Sequence, residues 1–223
     1  HVKEFIEERN TELLLVLNNS SEMFFASKNQ FKSYIAIEVF TFLASLALIN
    51  KDYIIPYIFN SDSEEYLYKK TNLKDNIFQI ISKICNSEAS KKNKLSNLTL
   101  LNNLAKQDIA GKNIFIILPI LYDFDDKYRD TIKRIITCNQ LTFIFVWDNL
   151  ERKLPYLNNL EVRNIDNKAG FLVKSNNISR YKYQSIFNKK KKEIDEFLAI
   201  HRIDSIYINT ADNSFLRLLE YFK

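Results

Sequence analysis

The sequence predicts an α/β fold: a doubly wound, mostly parallel sheet with helices on both faces. Short continuous apolar runs alternate along the chain with longer segments whose apolar residues recur at helical spacing. This alternation is typical of parallel sheets that are covered by helices on both sides. No linker-like stretch divides the 223 residues, so we expect a single domain over residues 1–223.

The first half of the chain contains two apolar runs and three helical patterns. The run over 12–17 ends in a cluster of Asn and Ser, which is typical of a buried strand that leads into a loop. The run over 53–59 contains Pro56, which predicts an edge position or a bulge because proline cannot donate a ladder hydrogen bond. We expect helices over 31–50, 72–85 and 96–108, with a polar loop over 86–95.

The second half repeats the pattern. The strongest apolar runs predict buried strands over 113–121 and 141–147, and a shorter run predicts a last strand over 205–208. We expect a small β-hairpin near 160–174, formed by 161–164 and 170–174 around Asp166 and Asn167. Helical patterns cover 125–138, 178–202 and 214–222.

Composition excludes several common kinds of site. The two glycines, Gly111 and Gly170, are far apart, whereas a dinucleotide fingerprint or a P-loop needs neighbouring glycines. Cys85 and Cys138 lack the paired spacing of a zinc site, and we expect them to be small buried side chains in a reducing compartment. The one internal histidine, His201, lies at a predicted helix end, which argues against a catalytic centre built on histidine.

The chain is basic, with a net charge of +5 and a pI of about 9.0. Its sharpest basic feature is the lysine run 189–192, which is typical of a solvated helix face and also of a contact with nucleic acid or anionic lipid. No run of 18 or more apolar residues and no signal peptide is evident, so we expect no membrane span within the chain.

Four segments carry resemblances to known families. The loop Asn18-Asn19-Ser20-Ser21-Glu22 after the first strand resembles the Asp-x-Ser-x-Ser metal-adhesion loop of von Willebrand factor A domains. With the opening 2–9, the segment 147–155 with its D-x-x-E-x-x-L-P pattern and the tail 202–210, the chain resembles the bacterial domain-of-unknown-function family fifty-eight. That resemblance implies a von Willebrand factor A-like domain that works with a MoxR-type AAA+ ATPase on client proteins, without catalysis. It also implies a cytoplasmic location, at the inner face of the inner membrane through segments upstream of this chain.

The metal-adhesion motif is carried over in degenerate form. The resemblance places its ligands at Asn18, Ser20, Glu22 and Ser96, while its last Asp falls on Pro119 or Ile120, with Asp123 nearby. Magnesium prefers about six hard oxygens, including one or two carboxylates. We therefore expect no cofactor, or weakly bound Mg²⁺ or Mn²⁺, and direct partner contacts through Asn18, Ser20, Glu22, Ser96 and Asp123. Alternatively, Asn18 and Ser20 only cap a turn.

Two other functions remain open at this point. Asp123, Asp125, Asp126 and Asp148 follow predicted strands, and clustered carboxylates of this kind hold divalent ions in phosphoester hydrolases. The competing interpretation is helix capping by Asp123 or Asp125. The second alternative is a nucleic-acid-binding module in which the lysine-rich helix stacks bases on aromatic side chains next to Lys182 and Lys189, namely Tyr181, Tyr183 and Phe187. At helical spacing such aromatics are also typical of packing positions.

Overall fold

A six-stranded sheet lies at the centre of the computed structural model. The structure describes residues 11–27, 30–60, 65–86, 96–121, 123–157, 160–163, 170–173 and 175–222. In chain order the strands are β1 (Glu12–Asn19), β2 (Tyr53–Asn60), β3 (Glu65–Leu67), β4 (Asn113–Pro119), β5 (Gln140–Trp147), β6 (Leu160–Arg163), β7 (Gly170–Val173) and β8 (Asp204–Asn209). The main sheet has the order β3-β2-β1-β4-β5-β8, and all of its neighbours pair in parallel except β2 and β3. Strands β6 and β7 form the separate antiparallel hairpin that the sequence predicts.

Helices cover both faces of this sheet, which confirms the predicted α/β class. They are α1 (Lys32–Ile49), α2 (Lys74–Cys85), α3 (Asn97–Leu104), α4 (Asp126–Ile136), α5 (Asn149–Arg152), α6 (Asn177–Ile200) and α7 (Ser214–Tyr221), with one 3-10 turn at Ser21–Met23. Leu14 and Val16 of β1 face α3, α4 and α6, whereas Leu15 and Leu17 face α1, α2 and α7. The strands are continuously apolar because both of their faces are buried.

Strand β2 is not at the edge of the sheet, so this prediction from Pro56 is wrong. The short strand β3 pairs with Tyr57 to Phe59 on the outer side of β2. The Pro56 carbonyl accepts a hydrogen bond from the Tyr68 N–H at 2.9 Å on that same outer side. Because the N and C=O of one strand residue point the same way, the missing N–H of Pro56 faces away from β1. The proline therefore costs no hydrogen bond to β1.

Both cysteines are exposed, which corrects the expectation that they are buried. Cys85 is the last residue of α2, and Cys138 follows the end of α4. Helix ends meet solvent at the margins of the sheet, so an apolar side chain there is not covered.

Helix α1 is long and apolar enough to cross a membrane by length and composition, a property that the sequence analysis did not anticipate. Half of it is buried inside the protein, where it packs on β1, β4 and β5. Its two charged side chains have partners there: Lys32 pairs with Glu151, and Glu38 accepts a hydrogen bond from Ser214. In this structure α1 is a core helix.

The carboxyl ends of β1 and β4 mark a topological switch point. The chain leaves β1 through α1 toward β2 on one side, and it leaves β4 through α4 toward β5 on the other. In doubly wound sheets ligands bind in the crevice that opens between such diverging connections. We call the surface formed by the carboxyl ends of the parallel strands and the loops that follow them the strand-end face.

Candidate partner-binding site on the strand-end face

A chain of side-chain hydrogen bonds joins the loop after β1 to the start of α3. Asn18 Nδ2 donates to Asn97 Oδ1 at 2.6 Å, and Asn97 Nδ2 donates to Glu22 Oε2 at 3.3 Å. We call Asn18, Asn97 and Glu22 the amide chain. Asn18 Oδ1 also accepts from the Ser20 N–H at 2.8 Å, the local turn that short polar side chains favour. The loop is thus fixed both by its own backbone and by a neighbouring helix.

Ser20 carries a buried hydroxyl without a partner. The residue is 2% exposed, and its Oγ forms no hydrogen bond with any described residue. Leaving a buried polar group unsatisfied costs about 1–3 kcal/mol, so such groups are uncommon and often mark functional places. The hydroxyl follows β1, at the switch point.

Ser96 lies one position away from the residue that contacts Asn18. Its exposed side chain caps α3, where Oγ accepts from the Thr99 N–H at 3.2 Å. The buried side chain that meets Asn18 is Asn97, which the sequence analysis did not identify. Asn97 is 79 residues from Asn18 in the chain, and no local spacing rule links the two.

The donor set does not fit a tightly bound magnesium ion. Glu22 is the one carboxylate of the amide chain, and it already accepts from Asn97. The Asn18 oxygen already accepts from its own loop. Among the described residues no three His, Cys, Asp or Glu side chains cluster as metal ligands do. A divalent ion here would replace existing hydrogen bonds and would gain few charges in return.

The acidic residues after β4 cap and flank a helix. Asp125 Oδ1 accepts from the Tyr128 N–H at 3.2 Å at the start of α4, and Asp126 lies 3.9 Å from Arg129. Asp123 is exposed. The pKa of the Tyr128 phenol is raised to about 12, mainly by burial and also by the charges of Asp123, Glu22 and Asp125, while a backbone hydrogen bond with Leu98 acts to lower it. The charges of Glu22 and Asp123 therefore both act on Tyr128.

Asp148 has a different role from those three aspartates. It is fully buried, and its Oδ2 accepts from Ser27 N at 3.0 Å, from Ser27 Oγ at 2.9 Å and from Thr210 Oγ1 at 2.6 Å. Its Oδ1 accepts from the Leu150 N–H at 2.9 Å. Burial acts to raise the pKa of this carboxyl, but the hydrogen bonds from Thr210, Leu150 and Ser27 outweigh burial and hold the pKa below its ordinary value. The carboxylate is occupied by structural hydrogen bonds, which argues against the predicted hydrolase cluster.

A buried ion pair extends this network to α1. Glu151 Oε2 accepts from the Asp148 N–H at 2.7 Å, which completes a capping box on α5. Glu151 Oε1 accepts from Lys32 Nζ at 2.7 Å, and the Lys32 side chain is 2% exposed. Asp148 and Glu151 thus hold the loop after β1, the start of α1, α5 and the end of β8 together. The D-x-x-E spacing was the signal for this box, whereas nothing in the sequence identified Ser27, Lys32 or Thr210 as its partners.

The lysine-rich helix α6 neutralises much of its own charge. Three lysines of the run lie near acids one turn further on, in the pairs Lys190–Glu193, Lys191–Asp195 and Lys192–Glu196. Phe187 is buried against Trp147, whereas Tyr181 is exposed. Burial raises the pKa of Tyr183, and the charge of Glu151 adds to it. The run is thus a solvated, ion-paired helix face, as the first interpretation of its sequence predicts.

Comparisons with solved structures find similar chains at low sequence identity. An aerotolerance-related membrane protein from Bacteroides fragilis NCTC 9343 has a TM-score of 0.50 at 13% identity, over 94% of this chain and 96% of that one. BatB, a conserved hypothetical protein from Bacteroides thetaiotaomicron, has a TM-score of 0.49 at 10% identity, over 95% of both chains. A von Willebrand factor type A structure from Catenulispora acidiphila has a TM-score of 0.43 at 8% identity, over 61% of this chain and 33% of that chain.

No curated protein matches the chain. The family described as "Protein of unknown function DUF58" matches residues 1–193, from the segment before β1 into the second half of α6. Because this match spans most of the 223 residues, the chain belongs to the DUF58 family.

Proposed function

We propose that this chain is a non-catalytic protein-interaction module that works with a MoxR-type AAA+ ATPase in the assembly, maturation or stress-related handling of client proteins. The observation that carries the proposal is the amide chain at the switch point between β1 and β4. It holds a polar loop in one conformation at the place where doubly wound sheets recognise their ligands. A loop fixed in advance loses little conformational freedom when a partner binds.

The side chains in this loop divide between support and contact. Asn18 and Ser20 are 1% and 2% exposed, so we propose that they act mainly by supporting the loop. Glu22 is half-buried, and Ser96 and Asp123 are exposed. We propose that Glu22, Ser96 and Asp123 contact the partner without a bridging metal ion, and that any Mg²⁺ or Mn²⁺ binds weakly.

The proposed location follows from the same family resemblance. We propose a cytoplasmic domain that is held at the inner face of the inner membrane by segments upstream of this chain. Membership of DUF58 supports it, and the aerotolerance-related structural neighbour is itself a membrane protein.

Binding to the MoxR-type ATPase of the same organism, measured by biolayer interferometry, tests the proposed function. We expect Glu22→Gln combined with Asp123→Asn to weaken binding by about tenfold, or about 1.4 kcal/mol. The matched control is Asp108→Asn combined with Glu220→Gln, which removes the same two charges at exposed positions, just before the amino end of β4 and on α7. If the wild type does not bind, or if the double variant binds as the wild type does, the proposal is wrong.

A further inference from the structure

One cavity of this molecule is lined by basic side chains. It has a volume of about 450 Å³ and lies between α6 and the segment that runs from α5 to Pro155. Arg152, Lys153 and Arg180 line it together with the neutral side chains Asn149 and Gln184. No acidic residue is among its lining residues in the described part of the chain. The cavity is built from elements that do not contribute to the amide chain.

No acid among the described residues neutralises the positive charge in this cavity. Glu151, the acid of α5, is occupied by Lys32 and by the Asp148 N–H. Arg152 and Lys153 are exposed, and neither forms an ion pair with a described residue. This contrasts with the lysine run of α6, where three cations have acidic partners. The cavity is therefore a local concentration of unpaired positive charge, which attracts anions.

The walls of the cavity are held in place. Arg180 Nε donates to the Leu154 carbonyl at 3.0 Å, and its guanidinium lies 5.5 Å from the centre of the Tyr156 ring. Ser175 Oγ donates to the Pro155 carbonyl. No described residue accepts from the two terminal nitrogens of Arg180. A guanidinium fixed in this way presents a planar pair of donors, which matches a carboxylate.

The surroundings favour a protein as the source of that carboxylate. Tyr156 and Leu157 are 67% and 48% exposed beside the cavity, and Tyr181 is 75% exposed on α6. Tyrosine and arginine are enriched among the residues that dominate protein–protein interfaces, and exposed apolar side chains mark such surfaces. Leu157 has no group that could bind the phosphates of a nucleic acid. It can instead pack against an apolar side chain that lies next to an acidic residue in a partner protein.

We propose that this cavity binds an acidic segment of a partner protein, with Arg180 receiving a carboxylate and Arg152 and Lys153 attracting further negative charge. Neighbouring apolar side chains of the same segment pack on Tyr156 and Leu157. The inference rests on the proposed function in that it treats the chain as an interaction module. It adds a second contact surface and names the chemistry of its partner.

Fluorescence anisotropy with a labelled peptide of alternating Glu and Leu tests the inference. We expect the peptide to bind the wild type, and its Gln-for-Glu version to bind at least about tenfold more weakly. Arg152→Glu with Lys153→Glu is expected to weaken binding at least about tenfold, because both side chains are exposed and the fold tolerates the change. The matched control, Lys69→Glu with Lys106→Glu, alters the net charge equally at exposed positions away from the cavity and is expected to change binding less than about twofold.

Several outcomes would overturn the inference. These are no binding of the acidic peptide, equal losses in the two charge-reversed variants, or tighter binding of oligothymidylate or of phosphatidylserine vesicles than of the peptide. Circular dichroism of each variant shows whether the fold is intact. The variant with Glu22→Gln and Asp123→Asn is expected to bind the peptide normally, so failure of this site and failure of the proposed contact at Glu22 and Asp123 give different results.

Discussion

Replacing Asp148 by Asn tests whether this residue is the structural centre of the strand-end face. The wild-type carboxylate accepts four hydrogen bonds from three residues, Ser27, Leu150 and Thr210. An amide of the same shape offers one oxygen, and its NH2 group faces donors. At least one buried donor therefore loses its acceptor, and the charge that strengthens the other bonds disappears.

The size of the loss follows from these contacts. A hydrogen bond to a charged group contributes about 1.5–3 kcal/mol, and disrupting a buried charged network costs about 3–5 kcal/mol. We expect Asp148→Asn to lower the free energy of unfolding by about 3–5 kcal/mol at neutral pH. For a chain of 223 residues, this corresponds to a fall in Tm of about 6–20 °C.

Urea denaturation provides the assay, with a built-in reporter. The chain has one tryptophan, Trp147, which directly precedes Asp148 and packs 5.7 Å from Phe187 between ring centres. Its fluorescence and the circular dichroism of the helices should report the same transition. The control is Asp126→Asn, a change of an exposed acid of α4, which should alter stability by no more than about 0.5 kcal/mol.

The pH dependence gives a second, independent check. The folded-state pKa of Asp148 lies below its ordinary value of 3.8, so its contribution is present above that value and is lost as pH falls through the folded pKa. Wild-type stability should therefore fall more steeply than that of Asp148→Asn as the pH drops below about 4. An Asn variant within about 1 kcal/mol of the wild type at pH 7, or an unchanged acid slope, would refute the reasoning.

Three further predictions follow from the same geometry. Lys32→Met should destabilise the fold by about 3–5 kcal/mol, and adding Glu151→Gln should cost less than the sum of the single changes; additive losses in a double-mutant cycle would show that the buried pair is not coupled. About 5 mM Mg²⁺ should raise the Tm by no more than about 2 °C, since an ion with a Kd near that concentration stabilises the fold by about 0.4 kcal/mol. A larger shift that Ser20→Ala abolishes would show a functional metal site. Tyr128 should ionise near pH 12, so the absorbance titration of Tyr128→Phe should lack one of the phenols that ionise above pH 10. Wild-type stability should fall as the pH rises above 10, because the folded-state pKa of Tyr128 exceeds its ordinary value. Titration of the Tyr128 phenol near pH 10 would contradict this.

The strands were predictable from the sequence because both faces of the sheet are buried. Strands β1, β4 and β5 are continuous apolar runs, and a run of that kind has few other stable places in a protein. The elements that sequence analysis missed are short: β3 has three residues and α5 has four. A periodic pattern cannot be recognised over so few residues. Strand β3 forms because it pairs with β2, and α5 forms because of the Asp148–Glu151 capping box.

The candidate site was only partly predictable, and for a physical reason. Asn18 and Ser20 follow a recognisable strand, so their place on the strand-end face could be inferred. The choice between Ser96 and Asn97 depends on how α3 docks, and one residue of difference turns a side chain from solvent toward Asn18. Lys32 begins an apolar helix, where a lysine is normally exposed, and only the position of Glu151 shows why it is buried.

The amide chain explains how this loop can stay ordered without an ion. In a metal-bridged loop the cation draws together oxygen atoms that would otherwise repel one another, so removing the ion loosens the site. Asn18 and Asn97 each carry both a donor and an acceptor, so these two neutral side chains connect the loop to α3 and to the Glu22 carboxylate without a cation. We therefore expect chelators to leave both the stability of the fold and its binding to a protein partner unchanged, whereas Asn97→Leu, which removes donor and acceptor together, should weaken that binding. Chelator-sensitive binding would instead mean that an ion holds the loop.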